Sequence, residues 1–258
     1  MKVIDVSYHD GDLNFKKIKA AGIDSVIIRA GYGKKDGKPG FTQDVKFEDN
    51  MKKAIAAGMN IGIYWFGYAY SLSQAKKEAD NCLAIIAPYK KHIKMPVFYD
   101  WEYDSMNYAK SFGHIIPNRK HITAMIAAFM KKVKKAGYKT GFYFNKDYQY
   151  NHIDVDDLDG VKWYARYKSA LNTEEQEFDL WQFTETGKVD GIDGTHDLNK
   201  VLNAGRLGIK TKKKKTAEIA KEVINGLWGN GADRKERLTE AGYNYDTIQK
   251  AVNKLLKG

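Results

Sequence analysis

Cysteine is nearly absent from this sequence: Cys82 is the single cysteine among 258 residues. One cysteine cannot form an intramolecular disulfide, which excludes a disulfide-stapled scaffold and a zinc cluster built on paired cysteines. The six histidines show no His-Glu-x-x-His spacing or similar ligand pattern, so a metal site is not expected.

Long apolar runs are also missing. No stretch approaches the ~18 to 20 residues that a membrane-spanning helix needs. The charged residues Lys2 and Asp5 interrupt the N-terminus before the apolar region of a signal peptide can form. We therefore expect a protein that does not insert into membranes and that is made in the cytoplasm without a signal peptide.

What the sequence does contain is apolar surface and positive charge. Hydrophobic residues make up 43% and aromatic residues 13%, which excludes disorder over the whole length. The formal net charge of +11 favours a polyanionic partner, either nucleic acid, a membrane surface or an anionic cell wall. No glycine-rich phosphate loop or aromatic sheet motif supports nucleic acid, so no nucleic-acid partner is expected.

Strand-like runs alternate with amphipathic helical stretches over most of the chain. Runs of β-branched and aromatic residues predict strands at 2–7, 25–30, 60–68, 95–102, 140–145, 161–167 and 178–183. Helices are predicted at 15–21, 47–57, 73–86 and 121–136, and three of them end in Ala-Gly, which is typical of a helix C-terminus. Repeated βα units form parallel sheets, and the strand-rich last third favours a modified (β/α) barrel of the α/β class over an open doubly wound sheet.

The pattern changes near Gly205. Residues 209–215 contain five lysines and predict a basic, solvated linker. Helical patterns at 217–224, 233–241 and 246–256 then predict a small three-helix bundle. We expect a barrel over residues 1–208, a linker over 209–215 and a bundle over 216–258.

Acidic residues end several predicted strands. Asp100 and Glu102 end the apolar strand 95–102, where residues two apart face the same side at roughly 6.5 to 7 Å. Asp5 ends the first strand, and Asp197 lies in a late strand-like segment. Active sites of parallel barrels lie at the C-terminal ends of the strands, and neighbouring carboxylates raise one pKa so that one acid keeps its proton. Hydrolysis of a glycosidic bond requires this division of roles.

Aromatic and amide side chains accompany these acids. Rings stack on the C–H faces of sugars and amides hydrogen-bond to sugar hydroxyls, so this combination suits a carbohydrate. The predicted substrate-binding residues are Tyr64, Trp65, Tyr99, Trp163, Trp181 and Gln182.

An ordered set of motifs runs through the predicted barrel: Asp5-Val6-Ser7, Asp100-Trp101-Glu102, Leu180-Trp181-Gln182-Phe183 and the segment from Gly191 to Asn199. Over about residues 1 to 205 this set resembles glycoside hydrolase family 25, the Chalaropsis-type lysozymes common among phage endolysins. The resemblance implies a barrel of five βα units followed mostly by strands. It also implies hydrolysis, without metal or cofactor, of the β-1,4 bond between N-acetylmuramic acid and N-acetylglucosamine in peptidoglycan.

The resemblance implies a role for each acid. Glu102 matches the general acid, and Asp100 matches the partner that either attacks directly or steadies the substrate's acetamido group as an internal nucleophile. Retention by substrate assistance is favoured, although the strand spacing leaves inversion open. Asp5 and Asp197 match further active-site carboxylates. His196 departs from the family pattern, in which a hydrophobic residue usually precedes the final aspartate.

The C-terminal segment resembles the Cpl-7-type cell-wall-binding repeat, a three-helix bundle that binds muropeptides. The resemblance rests on Trp228-Gly229-Asn230-Gly231 and on the Asp-Arg-Lys-x-Arg-Leu motif at 233–238. It implies wall contact through Arg234, Trp228 and Asn230, although Trp228 also suits the core of so small a bundle. Anionic wall polymers are a second candidate partner for the lysine-rich linker.

Two other functions fit the same residues. A non-catalytic protein that binds cell-wall carbohydrate would keep the aromatic rim without needing Asp100 and Glu102 together. A hydrolase of the same fold could also act on chitin. Release of reducing ends from purified walls separates the first alternative from an enzyme, and analysis of the products separates the second.

Overall fold

The computed structural model describes residues 1–33, 41–172, 174–209 and 214–257. Contacts between residues divide the chain into two compact units, Met1–Lys210 and Thr211–Gly258. The predicted linker 209–215 lies partly outside the described residues, because 210–213 are not among them. At the two ends of the predicted linker, Ile209 is buried in the first unit and Lys215 is the N-cap of the first helix of the second unit.

The first unit is a closed barrel with helices around it. Its strands are β1 (Lys2–Val6), β2 (Ile23–Gly33), β3 (Phe41–Gln43), β4 (Asn60–Phe66), β5 (Ile93–Asp100), β6 (Thr140–Asn145), β7 (Val161–Ala165), β8 (Leu180–Gly187) and β9 (His196–Val201). Eight of these described strands close a ring in the order β1, β2, β4, β5, β6, β7, β8, β9, while β3 pairs only with the end of β2. All neighbours in the ring are parallel except β9, which is antiparallel to both β8 and β1. The predicted modified barrel is confirmed.

Helices lie between the strands and cover the outside of the barrel, except for the last helix of this unit, which follows β9. They are α1 (Phe15–Ala20), α2 (Phe47–Ala56), α3 (Leu72–Ile86), α4 (Tyr103–Ser111), α5 (Arg119–Lys135) and α6 (Ala204–Leu207). Four of them, α1, α3, α5 and α6, begin at an Asn or Ser whose side chain accepts a hydrogen bond from a backbone N–H of the first turn.

Strand alternation divides the core of this unit into two layers. In β1, Val3 packs inside the barrel, whereas Ile4 and Val6 pack against the helices. Residues at the strand starts, such as Met95, pack with Leu207 of α6, which closes that end of the barrel. At the opposite end of the barrel, where the parallel strands end, the side chains are mostly polar.

The predicted strand 95–102 begins and ends two residues earlier in the structure, at Ile93 and Asp100. β5 ends at Asp100, and Glu102 is the N-cap of α4, a helix that the sequence analysis did not predict. The backbone of Glu102 is extended, and its N–H donates to Ser105 Oγ at 3.0 Å, which ends the strand and starts the helix.

The second unit is a three-helix unit, with α7 (Thr216–Ile224), α8 (Gly231–Glu240) and α9 (Tyr245–Lys257). Its small core consists of Ile219, Ala220, Val223, Leu238, Ile248 and Val252. Trp228 packs against this core, and its indole N–H donates to Glu222 Oε2 at 3.0 Å. In the described part of the chain, no helix of either unit is long and apolar enough to cross a membrane.

Candidate active site

Four acids come together at the C-terminal end of the barrel. Asp5 lies near the end of β1, Asp100 ends β5, Glu102 follows it, and Asp197 is the second residue of β9. All four line one cavity of about 310 Å³. Because β9 runs antiparallel to the other strands, its beginning lies at the end of the barrel where the others end. The structure thus brings together the four acids that the sequence analysis singled out.

Asp100 and Glu102 form a hydrogen-bonded pair of carboxyl groups. Burial raises the pKa of Asp100 well above its usual range, and the nearby Glu102 raises it further. Burial also raises the pKa of Glu102 to about 7, although its hydrogen bond to Asp100 opposes this. The pair therefore retains a proton near neutral pH. Asp100 Oδ1 is buried and has no hydrogen-bond partner among the residues that the structure describes.

Asp5 and Asp197 form a second pair of neighbouring carboxyl groups. Burial, followed by the charge of Asp197, raises the pKa of Asp5. Burial and the charges of Asp10 and Glu185 raise the pKa of Asp197 to about 6, and a hydrogen bond with Asp5 lowers it. With two such pairs the cavity can hold protons that isolated surface acids would lose at neutral pH.

A polar network fixes Asp5. Asn199 Nδ2 donates to Asp5 Oδ2 at 2.6 Å, and Gln182 Nε2 donates to the two carboxyl oxygens at 3.3 and 3.2 Å. The oxygen of Gln182 accepts from the hydroxyls of Tyr143 at 2.9 Å and Tyr167 at 3.1 Å. Because the oxygen of Gln182 accepts both of these hydrogen bonds, the orientation of the amide is fixed and its NH₂ group faces Asp5.

Three of the predicted substrate-binding residues line the cavity: Tyr64, Trp163 and Gln182. The Trp163 ring packs edge-on against Tyr64, with centroids 6.1 Å apart, and its indole N–H donates to Asn199 at 2.6 Å. The Tyr64 and Trp163 rings are largely buried and present only part of their surface to the cavity.

The other three lie outside that cavity, in the core between barrel and helices: Trp65, Tyr99 and Trp181. Trp65 follows Tyr64 and Tyr99 precedes Asp100, so strand alternation turns both away from the barrel interior. The Tyr99 hydroxyl donates to the buried Glu78 at 2.7 Å, and the Trp181 indole donates to the Arg166 carbonyl at 2.7 Å. These contacts are structural, and none of the three reaches the cavity.

The cavity also contains residues that the sequence analysis missed, among them Asp10, Arg29, Tyr143 and Tyr167. Arg29 is buried, and its Nε donates to Asp44 Oδ2 at 2.8 Å. Its Nη2 is buried without a partner within the described ranges. Arg29 and Tyr143 are polar side chains in the C-terminal halves of the apolar strands β2 and β6, and this shared feature is the signal that could have found them.

A second, wider cavity of about 660 Å³ adjoins the first. Glu102, Tyr143 and Tyr167 line both cavities, so Glu102 stands at their junction. The wider cavity is also lined by Tyr103, Asn145, Lys146, Asp147, Tyr150, Asn151, Ala165 and Arg166. Exposed tyrosine rings and amides give it the surface of a site for sugar rings.

In the C-terminal unit the three predicted wall-binding residues are neighbours. Arg234 donates to the Gly229 carbonyl at 3.0 Å and to Asn230 Oδ1 at 2.9 Å. Trp228 is half-buried. Arg234 thus orders the turn before α8, while Trp228 remains partly accessible. Elsewhere, no group of three or more His, Cys, Asp or Glu among the described residues is arranged to hold a metal ion.

Comparison with known proteins gives two matches along the chain. Residues 4–192 match the family "Glycosyl hydrolases family 25", and residues 217–256 match the "CW_7 repeat". The lysozyme of Streptococcus phage Cp-7 is 24% identical over 270 aligned positions, which cover 98% of this chain and 69% of that protein.

Solved structures share the fold of the barrel. The modular autolysin LytC from Streptococcus pneumoniae superposes with a TM-score of 0.64 at 28% identity, and the match covers 77% of this chain and 46% of the autolysin. The chain therefore corresponds to about half the length of that protein. The catalytic domain of an endolysin from bacteriophage P40 of Listeria monocytogenes superposes with a TM-score of 0.64 at 21% identity, and the match covers 78% of this chain and 92% of that domain.

These matches confirm the two resemblances found in the sequence and the prediction of a glycoside hydrolase. The chain belongs to glycosyl hydrolases family 25 and carries a CW_7 repeat over residues 217–256.

Proposed function

We propose that the protein is an endolysin-type lysozyme that hydrolyses the β-1,4 bond between N-acetylmuramic acid and N-acetylglucosamine in peptidoglycan. The observation that carries this proposal is the hydrogen-bonded pair formed by the buried Asp100 and by Glu102, which lines both cavities. A glycosidic bond placed at the junction of the two cavities would have one sugar in each cavity, with Glu102 beside the bridging oxygen.

Glu102 is the general acid in this proposal. The coupled pair retains a proton near neutral pH, and in the form that reacts this proton is on Glu102, whose pKa burial raises to about 7, while Asp100 is ionised. Glu102 donates that proton to the glycosidic oxygen. The leaving sugar then departs with that proton. In the second step the Glu102 carboxylate takes a proton from water, which attacks the anomeric carbon.

Asp100 assists the substrate's own acetamido group. Asp100 lines the narrow cavity, where its carboxylate can accept a hydrogen bond from the acetamido N–H. With that hydrogen bond in place, the acetamido oxygen attacks the anomeric carbon and forms an oxazolinium ion, whose positive charge the Asp100 carboxylate stabilises. Attack by water then restores the acetamido group. Two displacements at the same carbon retain the anomeric configuration.

The remaining acids shape the narrow cavity. Asp5 is fixed by Asn199 and Gln182, and Asp197 lies beside it. We assign both to binding and electrostatic support of the sugar that undergoes reaction. The narrow cavity takes that sugar, and the wider cavity takes the leaving side of the glycan chain.

The second unit serves as a wall-binding module in this proposal. It binds muropeptide units through the partly exposed Trp228 and the turn ordered by Arg234 and Asn230. The basic linker adds attraction to anionic wall polymers. A tethered second site raises the local concentration of substrate at the barrel.

The deciding experiment is analysis of the fragments released from purified peptidoglycan. The released ends are reduced with borohydride and identified by mass spectrometry. A muramidase yields reduced N-acetylmuramic acid, whereas a glucosaminidase yields reduced N-acetylglucosamine. Release of the latter alone, or cleavage of chitin in preference to peptidoglycan, would overturn the proposed bond specificity.

A further inference from the structure

His196 is buried at the start of β9, directly before Asp197. Both nitrogens of its ring have close partners. Nδ1 lies 2.7 Å from Asp10 Oδ1, and Nε2 lies 2.9 Å from the backbone carbonyl oxygen of Asp193. The ring thus joins the turn that follows β1 to the loop that precedes β9.

The chemistry of these partners sets the protonation state of the ring. A backbone carbonyl can only accept, so Nε2 must carry a hydrogen. Asp10 already accepts through Oδ2 from the Ser7 N–H at 2.8 Å, and its Oδ1 faces the second nitrogen. A contact of 2.7 Å between Nδ1 and Oδ1 needs a hydrogen between them, because two bare lone pairs would repel each other. An imidazole nitrogen is a stronger base than a carboxylate oxygen, so the ring holds this hydrogen. A second hydrogen on the ring removes that repulsion and makes an ion pair.

We propose that His196 is a positioning residue that is held as an imidazolium cation between Asp10 and the Asp193 carbonyl. As a cation it fixes the start of β9, and therefore Asp197, against the turn after β1. It also supplies positive charge at the edge of a cavity that holds several acids.

The surrounding charges give this cation a function. Asp10, on the turn after β1, pairs with it directly, and Asp197 follows it in the chain. Asp5 on β1 and Glu185 on β8 are further acids of the same region. Burial and two of these acids raise the pKa of Asp197, and His196 opposes them. Without the cation, the carboxyl groups of the cavity would take up protons at higher pH.

This inference rests on the proposed lysozyme function only for its effect on activity. The protonation state of His196 can be measured independently. Nitrogen-15 NMR of the full-length protein at pH 7 should show hydrogens on both ring nitrogens of His196, and the signal should change in Asp10→Asn. A neutral ring with a bare Nδ1 at pH 7 would overturn the proposal, whether or not the protein cuts peptidoglycan.

The activity test compares His196→Gln, which removes the charge, with His196→Lys, which keeps it. His92→Gln is the matched control, since His92 lies just before β5 at the opposite end of the barrel. For His196→Gln we expect kcat to fall about 10-fold with KM little changed. Both limbs of its pH profile should move upward by roughly one unit, the effect of losing one nearby opposite charge.

For His196→Lys the pH profile should remain close to that of the parent, and the control variant should match the parent in rate and profile. A folded His196→Gln variant with the parent's pH profile would refute the positioning role. So would a Lys variant whose profile is shifted like that of the Gln variant. If the parent released no reducing ends from peptidoglycan, the proposed function would fail while the NMR result still decided the state of His196.

Discussion

Glu102→Gln should abolish catalysis and at the same time stabilise the barrel at neutral and alkaline pH. The amide has nearly the shape of the acid but has no proton to donate to the glycosidic oxygen. One general acid contributes ~10² to 10⁴ in rate, which corresponds to about 3 to 5 kcal/mol in the activation free energy. We therefore expect the rate of wall lysis to fall by at least a hundredfold.

The gain in stability follows from the raised pKa of Glu102. Burial raises this pKa from 4.5 to about 7 in the folded protein. As pH rises from 4.5 towards 7, the unfolded chain releases this proton while the folded chain keeps it, so the parent loses stability over that range. At 1.36 kcal/mol per pH unit the full loss is roughly 3 kcal/mol. Because Asp100 shares the proton, we expect the Glu102→Gln substitution to recover about 1 to 3 kcal/mol of it.

The assay is thermal unfolding of parent and variant between pH 4 and pH 8, together with wall lysis. The difference in melting temperature should be near zero at pH 4 and should grow to its maximum above pH 7. For a barrel of this size each kcal/mol raises the melting temperature by about 2 to 4 °C. Lysis within a few-fold of the parent would refute the role of Glu102 as acid. A variant less stable than the parent at pH 8 would refute the account of its pKa.

Further predictions concern the other acids and the second unit. Asp100→Asn should reduce the rate about as severely as Glu102→Gln, because it removes the charge that stabilises the oxazolinium ion; a mild loss in steady-state kinetics would argue against that role. Asp5→Asn and Asp197→Asn should reduce the rate less in the same assay, and losses equal to that of Asp100→Asn would contradict their supporting role. NMR of the first product formed should show the retained anomer, and an inverted one would exclude substrate assistance. A chain that ends at Ile209, which keeps that buried side chain, should cleave short soluble muropeptides at close to the parent rate but lyse intact walls more slowly; equal lysis of walls by both proteins would show that the second unit does not target the enzyme.

The sequence predicted the barrel and its acids because both depend on local patterns. Alternating strand and helix signals determine a parallel sheet, and an acid that ends an apolar strand lies at the rim wherever the strand is placed. Asp5 and Asp100 could therefore be assigned to one end of the barrel without knowledge of their neighbours. Asp197 lies at the start of the antiparallel strand β9, and its assignment depended on the family resemblance.

Other features of the site were not predicted, either because a local signal was overlooked or because the contact joins distant parts of the chain. The N-cap at Glu102 depends on Ser105, a local contact that was overlooked because the apolar strand pattern extended through position 102. The outward direction of Trp65 and Tyr99 follows from strand alternation once the inward positions are known. Asp10 and Arg29 are held at the site by contacts with residues outside their own segments, Asp10 by His196 and Arg29 by Asp44.

The antiparallel strand β9 makes the active site depend on the end of the barrel sequence. It is inserted between β1 and β8, and it supplies both Asp197 and the Asn199 that holds Asp5. A chain growing on the ribosome has Asp100 and Glu102 long before β9 is made, yet its barrel is still open. Fragments that stop before His196 should therefore lack lytic activity, so synthesis has to run through the last strand before the enzyme can damage a wall.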